Sequence, residues 1–214
     1  MSPPRTITVA FTGASGLPYG VRLVECLLQA GCRVWLLYSQ VAQIVARQEM
    51  DWNLPARPAE VEAELSARFG SAPGQLRVFG REEWFAPPAS GSNPPDAMVV
   101  CPCTVATLAS IAGGLSQNLI ERAADVVIKE GRKLVLVPRE TPYSAIHLEN
   151  MLKLARLGVE CSLQLPWILD NPPQMPMRVI RIILPLCFMR IQENGRARPD
   201  DPFVNLAAGV AKVD

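Results

Sequence analysis

The sequence predicts an α/β protein built on a parallel sheet. Three observations carry this. The chain opens in strand–helix–strand–helix order, a glycine-rich turn joins the first strand to the first helix, and later strands read as short unbroken apolar runs. The 214 residues suit one domain with a substantial core.

Residues 7–12 form the first strand, a β-branched and apolar run that meets Gly13-Ala14-Ser15-Gly16. Pro18 suits the first turn of a helix over residues 19–30, where Val21, Leu23, Val24, Leu27 and Leu28 recur at helical spacing before Gly31 ends it. Residues 33–38 are a second strand, and Ser39 caps a helix over residues 40–49. A helix over residues 59–69 sets Val61, Leu65 and Phe69 on one face, and residues 76–79 make a short strand. Residues 81–95 hold Pro87, Pro88, Gly91, Pro94 and Pro95, which predicts a long shaped loop. Residues 97–101 are a buried strand, and Pro102-Cys103-Thr104 turns into a helix that Gly113-Gly114 closes. A helix over residues 119–130, a strand over 133–137 closed by Pro138, and a helix over 145–157 capped by Ser144 follow. A last strand is expected near Val159, after which the pattern weakens into a polar tail.

Composition narrows the chemistry. Lys plus Arg is 21 against 20 for Asp plus Glu, so a nucleic-acid partner has no basic excess to recognise. No apolar run reaches the roughly 20 residues of a membrane span, and no signal-peptide core follows the N-terminus; a cytoplasmic protein without a membrane partner is expected. The lone histidine, His147, leaves little for histidine-based metal sites or dyads, and no metal is expected. None of the six cysteines forms a Cys-x-x-Cys pair, so most are expected to be small buried hydrophobes.

The glycine-rich turn offers backbone N–H groups and a positive helix end, a phosphate site in chemical terms. A dinucleotide fits less well. The third glycine is misplaced at Gly20, the second strand ends in Tyr38-Ser39 rather than an acid, and Tyr143 is followed four residues on by His147 instead of lysine. A mononucleotide, with Ser39 as a second polar contact, is the expectation.

Several segments together resemble the UbiX-type flavin prenyltransferase family. They are Thr12-Gly13-Ala14-Ser15-Gly16, Ala86-Pro87-Pro88-Ala89-Ser90-Gly91-Ser92, Cys101-Pro102-Cys103-Thr104, Asn118-Leu119-Ile120-Glu121-Arg122-Ala123-Ala124-Asp125, Leu136-Val137-Pro138-Arg139-Glu140-Thr141-Pro142 and His147-Leu148-Glu149-Asn150-Met151. The resemblance implies a flavodoxin-like or Rossmann-like three-layer sandwich that binds FMN without covalent attachment. It implies transfer of a dimethylallyl group from dimethylallyl monophosphate to reduced FMN, at N5 and then C6. The prenylated FMN would serve a UbiD-type decarboxylase, and the enzyme would be a homo-oligomer, a dodecamer, with active sites at subunit interfaces.

Residue roles follow from the same resemblance. Gly13, Ala14, Ser15, Ser39 and the helix start Thr104, Val105, Ala106 and Thr107 would contact the flavin. Arg139 would reach a phosphate of flavin or substrate, and Lys129 and Arg122 the substrate phosphate. Glu49 and Glu140 are the acid/base candidates; the structural alternative is plain solvent exposure for Glu49 and an ion pair beside Arg139 for Glu140. Trp84, Ser90 and Gly91 would wall the allyl pocket.

The likeness runs from Ile7 to Gly158, so residues 1–158 read as the FMN-binding body and 159–214 as a divergent segment of the same domain. The family's substrate-phosphate tyrosine falls on Leu169 and its basic residue on Pro185, with Arg181 the nearest substitute. The tail is either out of frame or a true divergence. A flavin-binding protein without prenyl transfer is therefore an alternative, as is a related flavin-dependent decarboxylase, although that group's early histidine is absent.

Overall fold

The computed structural model describes residues 4–162. A six-stranded, all-parallel sheet runs in the order β3-β2-β1-β4-β5-β6. Its strands are β1 (Thr6–Phe11), β2 (Arg33–Tyr38), β3 (Leu76–Phe79), β4 (Ala97–Cys103), β5 (Lys133–Pro138) and β6 (Glu160–Cys161). The helices are α1 (Leu17–Gln29), α2 (Gln40–Met50), α3 (Pro58–Phe69), α4 (Val105–Ala112), α5 (Leu119–Lys129) and α6 (Ala145–Arg156). The predicted three-layer α/β sandwich is the observed one.

Strand periodicity explains the layers. Ile7, Val9 and Phe11 of β1 pack on one face with Leu23, Val24 and Leu27 of α1 and with Val61 and Leu65 of α3. Ala10 points to the other face, beside Met98, Val100, Leu134 and Leu136, where Leu108 of α4, Leu119 and Ala123 of α5 and Leu154 of α6 cover the sheet. Both faces are covered, so the strands are apolar throughout.

Most boundaries fall within one residue of the sequence expectation, and two differ by two residues. The structure pairs Cys103 with Pro138 across a register irregularity after Val100, so β4 runs on through Pro102 instead of turning there. α1 begins at Leu17, two residues early; Gly16, in a left-handed backbone (φ 100°), is its N-cap, and the Leu17 N–H is taken up by the Glu49 carboxylate. The expected last strand near Val159 is β6, paired to Val135 and Leu136. Leu169, Arg181 and Pro185 lie outside the described residues.

α1 lies tightly on the sheet at Gly20, where a Cβ would overlap the Cys101 carbonyl oxygen and the Phe11 ring. In an open helix, Gly→Ala gains about 0.5–1 kcal/mol. Here overlap with backbone wins, and Gly20→Ala is expected to lose about 1–3 kcal/mol. Urea denaturation of the two proteins checks the sign.

Candidate functional site

The strand order reverses direction between β1 and β4, and the crevice beyond their C-terminal ends is where doubly wound sheets bind ligands. One residue ties the two ends together. Thr12 is buried; its hydroxyl donates to the Pro102 carbonyl at 2.8 Å and accepts from the Thr104 N–H at 2.9 Å. Its own N–H also reaches the Pro102 carbonyl at 3.3 Å. Thr104 in turn caps α4, its hydroxyl oxygen accepting from the Thr107 N–H at 3.1 Å.

The neighbouring strand ends are fixed in the same way. The Ser39 N–H donates to the Phe11 carbonyl at 2.9 Å, and the Arg139 N–H to the Cys103 carbonyl at 3.2 Å. Ser39, Gly13–Ser15, Thr104–Thr107 and Arg139 thus border one crevice. Gly13 has no room for a side chain, because a Cβ would overlap Val41. Among the described residues, nothing accepts from the N–H groups of Gly13, Ala14, Ser15, Val105 or Ala106. Five such donors at two helix starts suit an anionic, carbonyl-rich ligand such as a flavin nucleotide.

Glu49 is exposed in overall surface, yet its carboxylate has a specific place. It accepts from the Gly16 N–H at 2.9 and 3.0 Å and from the Leu17 N–H at 3.0 Å. The N-terminus of α1 is therefore held by an internal anion, where α2 ends. The first turn of α1 also carries Tyr19, which sequence reasoning did not single out. Burial pushes its hydroxyl pKa up, nearby Arg139 pulls it down, and Cys101 and Glu49 push it up. Tyr19, Glu49 and Arg139 thus share one electrostatic neighbourhood. Glu140 accepts from the Thr141 N–H at 3.2 Å, with no ion pair to Arg139 among the described residues. His147 is used structurally: its Nδ1 accepts from the Ser144 N–H at 3.2 Å in a capping box for α6.

A second group sits elsewhere. The Arg122 Nε donates to the Ala89 carbonyl at 3.1 Å, and its Nη1 pairs with Asp125 at 2.8 Å. Lys129 pairs with Glu130, and a Cβ at Gly91 would lie 2.5 Å from the Lys129 Nζ. α5 therefore brings Arg122 against Ala89 and Lys129 against Gly91 of the proline-rich loop. Lys129 closes α5 just before Lys133, which pairs with Ala97 at the N-terminal edge of the sheet. Arg139 follows the other end of β5, whose 6 residues span roughly 17 Å. Lys129 and Arg139 therefore lie toward opposite ends of the strands, whereas Arg122 stands near the start of α5, whose Leu119 N–H donates to the Arg81 carbonyl beyond the C-terminal end of β3. Trp84 is exposed in the loop after β3, beside the fully exposed Phe85.

Sequence reasoning missed Thr12 as a structural bridge, Tyr19, and Glu130. Only Thr12 left a signal: a hydroxyl at the last position before the glycine turn.

The crevice and its strand order are those of a nucleotide-binding, doubly wound α/β protein. The Flavoprotein family model matches residues 1–182. The chain is 58% identical over 158 residues to "Flavin prenyltransferase UbiX" of Pseudomonas aeruginosa, covering 74% of this chain and 76% of that one. The crystal structure of AnUbiX (PadA1) in complex with FMN and dimethylallyl pyrophosphate superposes with a TM-score of 0.74 at 32% identity, covering 93% of this chain and 99% of that one. A dodecameric FMN-dependent UbiX-like decarboxylase from Escherichia coli O157:H7 gives a TM-score of 0.71 at 33% identity, over 91% and 96% of the two chains. This chain belongs to the flavin prenyltransferase (UbiX) family of flavoproteins. Among the described residues no helix is long and apolar enough to cross a membrane, and no cluster of His, Cys, Asp and Glu could hold a metal.

Removing the Thr12 hydroxyl leaves the Thr104 N–H without its acceptor in a part-buried place. Thr12→Val is expected to cost about 1–3 kcal/mol, and Thr12→Ser much less. Chemical denaturation separates the two. The buried thiols make a second test. Burial pushes Cys32 up to about 11 and Cys101 up to about 12, and pushes Cys103 up as well. Unfolded thiols ionise near pH 8.5. The unfolded chain then holds fewer protons than the folded one, so stability falls as pH rises from about 8.5 toward 12. Melting temperatures across the alkaline range check this, and these thiols should resist alkylation at pH 8 until the protein unfolds.

Proposed function

We propose that the chain transfers a dimethylallyl group from dimethylallyl monophosphate to reduced FMN, bound without covalent attachment, and that the prenylated FMN supplies a UbiD-type decarboxylase. The observation that carries this is the switch-point crevice, with its five unclaimed backbone donors, Arg139 and the seated Glu49 carboxylate. Those donors fit a flavin nucleotide, whose N5 and C6 would supply the nucleophilic atoms that accept the prenyl carbons.

The protein's own groups supply the rest. Gly13, Ala14, Ser15, Ser39 and Thr104–Thr107 hold the flavin, and Arg139 offers a bidentate fork to a phosphate. The allyl C–O bond breaks with its electron pair leaving on phosphate, so negative charge grows on those oxygens. Lys129 and Arg122 offset that charge. Glu49 and Glu140 hold or move protons at the ring and at the prenyl cation, and Trp84, Ser90 and Gly91 wall the allyl group.

Lys129 and Arg139 flank opposite edges of one sheet, so a complete site takes Lys129 from a neighbouring copy. This favours a homo-oligomer with shared sites, and a dodecamer like the E. coli relative is the proposed assembly. The second proposal, flavin binding without transfer, rests on Leu169 and Pro185 standing where the family pattern wants a tyrosine and a basic residue.

Incubation with reduced FMN and dimethylallyl monophosphate, followed by mass spectrometry of the released flavin, tests both. A gain of one dimethylallyl unit supports transfer; unmodified bound flavin supports the second proposal; no bound flavin overturns the crevice assignment. The shared site has its own test. Glu49→Gln and Lys129→Met are each expected to lose most activity, and co-expressing them should restore part of it in mixed oligomers. Mixtures as inactive as the single variants would mean that both residues serve a site within one chain.

A further inference from the structure

Every cation that α5 turns toward the proline-rich loop already has an acid. Arg122 pairs with Asp125, and Lys129 with Glu130. The second pair stands out by position. Glu130 is the C-cap of α5, where the helix dipole repels an anion and favours the cation at Lys129. The helix therefore does not hold the Glu130 carboxylate, and Lys129 is its ion-pair partner. The pair rests directly on the loop backbone at Gly91, where a Cβ would lie 2.5 Å from the Lys129 Nζ and 2.6 Å from the Glu130 Oε1. Both side chains keep solvent access, 45% for Lys129 and 33% for Glu130, so an incoming anion can reach them.

We infer that Glu130 is a built-in counter-anion, holding Lys129 in the resting enzyme, yielding it to the substrate's phosphate group, and recapturing it as inorganic phosphate leaves. This rests on the proposed role of Lys129 in binding that phosphate. The carboxylate and a phosphate present similar oxygens to one ammonium, so they compete for it. The competition lowers phosphate affinity by the fraction of time Glu130 holds the lysine, which keeps the released phosphate from blocking the site. Glu130 touches neither flavin nor allyl group in this scheme; it positions Lys129 and sets how tightly that lysine grips an anion.

Calorimetric titration of inorganic phosphate into the FMN-loaded oligomer tests this in wild type, Glu130→Gln, Glu130→Ala, Lys129→Met and the double variant Glu130→Gln/Lys129→Met. A half-exposed ion pair predicts a tightening of about two- to five-fold in both Glu130 variants. The gain should vanish in the Lys129→Met background, and the inhibition constant of phosphate should fall by the same factor. Glu130 variants that bind phosphate no more tightly, while Lys129→Met weakens it, would overturn the counter-anion role and leave Glu130 as loop support. Unchanged binding in Lys129→Met would overturn the Lys129 assignment itself. Two Glu130 replacements of different shape guard against a folding defect, and their thermal melts report one directly.

Discussion

The architecture of the site depends on one buried hydroxyl. Thr12 ends β1 and bonds both the carbonyl of Pro102 and the N–H of Thr104. A parallel sheet does not by itself set how far apart two neighbouring strands release their loops. Here the glycine turn leaves β1 and α4 leaves β4 at a separation fixed by one side chain. A hydroxyl both donates and accepts, so it bonds the Pro102 carbonyl, which the Thr12 N–H also reaches, and gives the Thr104 N–H an acceptor it would otherwise lack. Ser39 and Arg139 are then set by single backbone bonds from the loops that follow β2 and β5. The crevice is a by-product of strand ends held in register.

Glu49 shows how distant pieces complete this arrangement. A helix start leaves several N–H groups without partners. In α1 the first two of these are taken by a carboxylate from the end of α2, 33 residues away from Gly16. The turn residues ahead of Gly16 keep their donors for a ligand. An anion inside the fold and an anion from outside are thus offered adjacent parts of one helix end, which brings the Glu49 carboxylate close to whatever the turn binds.

Much of this was legible in the sequence because it is local. Strand periods, the Ser39 and Ser144 caps and the glycine turn each need only a few neighbouring residues, and each stands where the sequence places it. The candidate flavin contacts could be named because the family resemblance falls on residues that follow strand ends. What could not be read was long-range. Plain exposure was one alternative for Glu49, yet its carboxylate is bound; an ion pair with Arg139 was the alternative for Glu140, which instead accepts from its neighbour Thr141. Helical spacing puts Arg122 and Lys129 on one side of α5, but not at a known edge of the sheet. That depends on the direction in which α5 enters β5, a property of the whole topology.

The opposite placement of Lys129 and Arg139 also bears on symmetry. In the proposed shared site, the C-terminal edge of one sheet faces the N-terminal edge of the next. Repeated in one direction, such a contact joins unlike surfaces, and contacts of that kind stop growing only when they close into a ring. An open series would be a filament with an unfinished crevice at one end and an unused Lys129 at the other. Closure gives every copy a neighbour on both sides, so in this arrangement the point group of the assembly decides how many of its sites are whole.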